Sequence, residues 1–154
     1  MNNANLNITF VVEKSTTEVF NAVNDVSKWW TENSKGNSQA LHDEFTVQFA
    51  DIHYSKQRVI EFIPGKKVVW LITESRLNWL KNKEEWTGTN VVFEISENEN
   101  GAHLQFTHIG LVPGAECYNG CFDAWSQYVG GSLFKLVTTG KGMPDRERLQ
   151  AASR

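Results

Sequence analysis

The stretch YNGCFDAWSQYVGGSLFKLV, residues 118–137, decides the fold. Tyr118, Cys121, Phe122, Trp125, Tyr128, Val129, Ser132, Leu133, Leu136 and Val137 recur at steps of three and four, the period of a helix with one apolar stripe. Gly140-Lys141-Gly142-Met143-Pro144 then removes side chains and finally a backbone donor, which ends the helix. About 20 helical residues reach roughly 30 Å, and a stripe that long needs a broad partner.

The preceding residues supply it. Leu6, Ile8, Phe10 and Val12 alternate with polar neighbours as in a half-buried strand. Ser15-Thr16-Thr17-Glu18 has the spacing of a capping box, and Val19, Phe20 and Val23 follow on one helical face. Asp25-Val26-Ser27-Lys28-Trp29-Trp30 predicts a second short helix, and residues 32–38, rich in Asn, Ser, Gly and Lys, a loop. Strand periodicity then dominates up to Ile109. Phe45, Val47 and Phe49 alternate, residues 58–63 pair through Pro64-Gly65-Lys66 with 68–73, and Val91, Phe93 and Ile95 lead through a turn into Leu104, Phe106 and His108. The expected architecture is α+β: a curved antiparallel sheet of about six to seven strands, two short helices, and the long C-terminal helix across the concave face. Residues 1–142 read as one domain and 143–154 as a polar C-terminal tail.

Composition narrows the function. A chain of 154 residues with 40% apolar and 21% charged content can hold a packed core. Its formal net charge of -3 provides no basic face for nucleic acid. No apolar run approaches the roughly 18 residues of a membrane span, and Met1-Asn2-Asn3-Ala4-Asn5 has no signal-peptide character, so a cytoplasmic location is expected. Cys117 and Cys121 lie four apart, which on a helix separates their Cβ atoms by about 6 Å, where a disulfide prefers about 3.8 Å; free, packed thiols are expected. No second Cys or His pair follows at ligand spacing, so neither a metal nor a cofactor is expected.

Nine Phe, six Trp and three Tyr point to a thick core or an aromatic-walled cavity. Trp29, Trp30, Trp70, Phe106, Phe122, Trp125 and Tyr128 are expected to face the space between sheet and helix or its mouth, with His108 as a polar anchor among them. His42, His53 and His103 lie beside turns or on the polar strand face and are expected in solvent, as are Glu61 and Glu74. Trp79 and Leu80, among the charges between Ser75 and Glu85, predict a lid over the pocket, a partner contact or a loop tucked onto its sheet. No residues are singled out as catalytic.

In its order of elements the chain resembles the START-like helix-grip (SRPBCC) superfamily, and within it the stand-alone bacterial relatives of the Hsp90 ATPase activator, the AHSA1-like proteins. The resemblance spans residues 6–142. It is carried by Ser15-Thr16-Thr17-Glu18-Val19-Phe20 with Lys28-Trp29-Trp30, by Glu61-Phe62-Ile63-Pro64-Gly65-Lys66, by Glu85-Trp86-Thr87-Gly88-Thr89-Asn90-Val91, by Phe106-Thr107-His108-Ile109-Gly110-Leu111, and by Cys121-Phe122-Asp123-Ala124-Trp125. This fold hosts lipid carriers, receptors, cyclases and co-chaperones, so the resemblance implies three functions. The first is a cytoplasmic binding protein enclosing a small, largely apolar molecule. The second is a module that contacts a chaperone or another protein partner. The third is a cavity-based cyclase or other proton-transfer enzyme. An open apolar pocket favours the first, a sealed core with a large exposed apolar patch the second, and His108 paired with a buried carboxylate the third.

Overall fold

The computed structural model describes residues 5–144, so nearly all of the expected tail and most of Met1–Asn5 lie outside the described residues. Seven antiparallel strands form one sheet: β1 (Leu6–Val12), β2 (Ser34–Gly36), β3 (Glu44–Phe49), β4 (His53–Ile63), β5 (Lys67–Leu77), β6 (Asn90–Asn98) and β7 (Gly101–Ile109). Their order is β1-β7-β6-β5-β4-β3-β2. Helices α1 (Thr16–Val23) and α2 (Val26–Trp29) follow β1, and the chain ends in α3 (Tyr118–Gln127), a π-helical stretch (Tyr128–Leu133) and α4 (Phe134–Thr139). The fold is the α+β helix-grip arrangement expected from the sequence.

The local signals account for most boundaries. Ser15 Oγ accepts from the Glu18 backbone N–H while the Glu18 carboxylate accepts from Ser15 N–H, which closes the capping box of α1. Phe45, Val47 and Phe49 are buried on β3, and the alternation of β1 is reproduced against β7, where Leu6 faces His108 and Phe10 faces Leu104. Residues 32–38, expected as loop, contain the short edge strand β2, because Ser34, Lys35 and Gly36 pair with Val47, Thr46 and Phe45. Gly36 makes that approach possible: at φ 102° a Cβ there would lie 2.3 Å from the Glu44 carbonyl oxygen.

The C-terminal helix is continuous but changes pitch. Its π-helical turn contains Gly130 and Gly131, and beside them Ser132 Oγ donates to the Trp29 carbonyl and accepts from Met143 N–H. Ser132 therefore ties α2 and the segment at Met143 to the middle of the helix.

Two irregularities position the site. Register shifts between Lys56 and Gln57 and between Val59 and Glu61 bend β4. In addition, β5 outruns its partner: only Lys67 to Leu71 pair with β6, and beyond them the vacated edge is taken by residues 78–89. Ile72 and Leu77 bond to Thr89, Gly88 and Lys83 of that segment through their backbones. A loop thus replaces the missing end of β6 and carries Trp79, Leu80 and Trp86 to the end of α3.

Candidate functional site

Glu85 and Glu116 lock the loop to α3. The Glu85 carboxylate accepts from the backbone N–H groups of Glu116 and Cys117, donors that the start of a helix otherwise leaves without partners. Glu116 returns the contact by accepting from Lys81 and Asn82, and these backbone bonds hold its carboxyl below the usual range. Cys117 and Cys121 are joined as a disulfide, in place of the expected free thiols. Cys117, the N-cap of α3, keeps helical backbone angles and its carbonyl accepts from Cys121 N–H, and its Cα lies 5.5 Å from that of Cys121, within disulfide reach.

Between this clamp and the sheet lies a half-open cavity of about 230 Å³. Phe49 and His53 come from the strands and Ile52 from the turn between them. Trp79 and Trp86 come from the loop, Trp30 follows α2, and Gly120, Cys121, Ala124, Trp125 and Tyr128 line the helix side. No charged side chain belongs to that lining. The Trp86 and Trp125 rings stack 5.7 Å apart and 8° from parallel, and Trp125 also meets Trp30 at 5.0 Å. Trp79, 47% exposed, stands at the rim, its ring lying over Gly120, where an added Cβ would approach to 3.1 Å.

The predicted wall residues separate into three groups. Trp30, Trp125 and Tyr128 line the cavity. Trp29, Trp70 and Phe106 are fully buried in a neighbouring aromatic cluster: Trp29 and Trp70 stack at 6.5 Å, and Phe93 joins Trp29, Trp70 and Phe106 at 5.9, 4.9 and 5.2 Å. Phe122 is 40% exposed and stacks on Tyr118, because the inward edge of α3 runs Cys121, Trp125, Val129 and Phe122 is rotated a further 100°.

His108 lies behind the cavity wall, with no exposed surface. Trp125 Nε1 donates to its Nδ1 at 3.1 Å, which leaves the proton on Nε2 to be donated to Thr89 Oγ1 at 2.8 Å; Thr89 donates in turn to the Trp86 carbonyl. Both ring nitrogens are used, and the chain of bonds connects the Trp125 indole to the Trp86 main chain. Burial, with a smaller contribution from His53, pushes the His108 pKa down to about 3.

His53, expected in solvent, is in the cavity wall. Strand β4 begins at His53 itself, and His53, Ser55, Gln57 and Val59 share the inward parity. Burial pushes the His53 pKa to about 3. Its Nε2 meets Ser55 Oγ at 3.0 Å, and Ser55 accepts from the Gln57 amide. Trp86 was likewise not foreseen as a wall residue. Continuing the parity of Val59 backwards would have pointed to His53, whereas nothing in the sequence placed Trp86. Among the described residues, no group of three or more His, Cys, Asp or Glu could hold a metal, and no helix is long and apolar enough to cross a membrane.

No family model matches the chain, and no curated protein does. Solved structures share its fold. The solution structure of the Aha1 dimer from Colwellia psychrerythraea has a TM-score of 0.73 at 22% identity, covering 90% of this chain and 99% of that one. A protein from Mesorhizobium loti gives 0.70 at 15% identity over 85% and 94% of the two chains. One from Staphylococcus saprophyticus gives 0.68 at 12% over 93% and 98%. At these identities the likeness is one of fold, the α+β helix-grip arrangement described above.

Proposed function

We propose that the protein is a cytoplasmic binding protein that encloses a small, largely apolar molecule in the cavity beside α3. The observation that carries this reading is the lining: aromatic and small side chains around an open mouth, with no charged group among them. Stacked indoles hold a ligand through contact area, and burying about 300 Å² of apolar surface contributes roughly 7 kcal/mol before the costs of association. A proton-transfer enzyme has less support, because His108 is engaged by Trp125 and Thr89 rather than by a carboxylate.

The test is a titration with a fluorescent apolar probe. Micromolar binding that quenches tryptophan emission is expected, and Tyr128→Ala should weaken it. Absence of binding, with Tyr128→Ala changing only stability, would refute the proposal. Native mass spectrometry of protein purified from its own host would then identify the ligand.

A further inference from the structure

Trp86 and Trp125 are fixed in the cavity wall by each other and by two histidines: His53 and His108 each meet Trp86 edge-on at 4.8 Å, and Trp125 donates to His108. Trp79 lines the same cavity without such support. It is 47% exposed, and among the described residues its ring has neither a ring partner nor a hydrogen bond. What it has is a seat on the opposite wall. The outer edge of the indole, Cη2 and Cζ3, lies 3.1 and 3.2 Å from where a Cβ on Gly120 would stand, so the ring reaches from the loop to α3 over a position that carries no side chain.

The backbone on either side of Trp79 is tied down. Asn78 N–H donates to the Ile52 carbonyl, and the Asn78 side-chain amide donates to the Asp51 carbonyl. Leu80 N–H donates to the Leu77 carbonyl, the Leu80 side chain is buried, and Lys81 N–H donates to the Glu116 carboxylate. Lys83 Nζ donates to the carbonyls of both Asn78 and Leu80. Movement at this point of the rim is therefore left to the indole, since rotation about its side-chain bonds lifts the ring from Gly120 and leaves these backbone contacts in place.

We propose that the Trp79 side chain is the gate of the cavity, swinging off Gly120 to pass a small apolar ligand and returning over it. This rests on the cavity reading above and adds how entry is controlled. Exposed side chains change rotamer within nanoseconds, far faster than ligand and protein meet, so the gate is not a slow step. It scales entry and escape by the fraction of time it is open, and a ring shut about nine-tenths of the time lowers both rates about tenfold. A plain wall residue acts differently: its contacts are with the bound ligand, so their loss speeds escape and leaves entry unchanged.

The test is stopped-flow association and dissociation of N-phenyl-1-naphthylamine, an uncharged apolar fluorophore followed by its own emission, with the intact protein. Trp79→Ala should raise the association and dissociation rate constants together, each about tenfold. Trp79→Phe, which keeps an apolar ring but lacks the edge that reaches Gly120, should raise both by less. Phe122→Ala, on the exposed side of α3 and outside the lining, should change neither. An association rate constant that does not rise in Trp79→Ala, or that rises equally in Phe122→Ala, would overturn the inference while leaving the cavity reading intact; a faster dissociation alone would make Trp79 a wall residue and not a gate. Failure of the wild type to bind the probe would instead refute the cavity reading, and this inference with it.

Discussion

Two aromatic clusters share the concave side of the sheet, and they differ in what surrounds the rings rather than in the rings themselves. Around Trp70 and Phe93 the neighbours are Trp29, Phe45 and Phe106, with Trp30 shared between the two clusters, and all of them are buried in mutual ring contact. Around Trp86 and Trp125 the neighbours are Trp30, Phe106, the two histidines His53 and His108, and helix positions occupied by Gly120, Cys121 and Ala124. Small residues on one helix face, opposite a loop that substitutes for the end of a strand, leave room where the other cluster has none. Whether large side chains make a core or a cavity wall depends on the small residues facing them.

The difference predicts unequal costs of truncation. Phe106→Ala should lose about 3 to 5 kcal/mol, the usual penalty for an aromatic removed from a tight core. Tyr128→Ala, beside space already open, should lose distinctly less. Urea melts of the two variants decide this, and equal losses would erase the distinction between the clusters.

Acid should act next most strongly, and mainly on the cavity cluster. His108 and His53 have pKa values near 3 in the folded chain against about 6.5 unfolded, so the unfolded state binds more protons between those values. Their neutral forms leave stability unaffected above about pH 6.5, and stability falls as pH drops toward 3. The slope is up to about 1.4 kcal/mol per pH unit for each group. His108, fully enclosed, should account for most of it, since His53 borders an open cavity. Urea midpoints at neutral and mildly acid pH should show a loss of about 2 kcal/mol by pH 5; a midpoint independent of pH would mean that the imidazoles are solvated.

Outside both clusters, at the opposite end of α1 from the Val23 carbonyl that accepts from Trp29, Ser15→Ala should cost about 1 kcal/mol by removing one half of the capping box. Probe affinity should not change. A change in affinity would show that α1, which contributes no residue to the lining, communicates with the cavity.

The sequence was informative wherever a local period coincided with burial. The capping box, the alternation of β1 and β3, and the stripe on the C-terminal helix all emerge from spacing alone. The cavity was harder to see for definite reasons. His53 faces inward because β4 extends back to it on the parity of Val59, and how far back a strand extends is not marked by periodicity. Trp86 reaches the wall because β5 is longer than its pairing with β6, a property of two strands together. The periodic stripe on the C-terminal helix is one residue too wide at Phe122, where a step of 100° separates wall from solvent. His108 faces inward but lies behind the cavity wall rather than in it, and the hydrogen bond that uses its Nδ1 comes from Trp125 on another element.

Ala124 offers the most direct test that the space beside α3 is the binding site. Its side chain lines the cavity from an exposed helix position, so Ala124→Phe should fill the space without disturbing the core. Titrating the apolar probe into this variant, with Phe122→Ala as the outward-facing control, should show binding lost in the first and unchanged in the second, with thermal midpoints near that of the wild type in both. Undiminished binding in Ala124→Phe would contradict the account and place the ligand elsewhere on the protein.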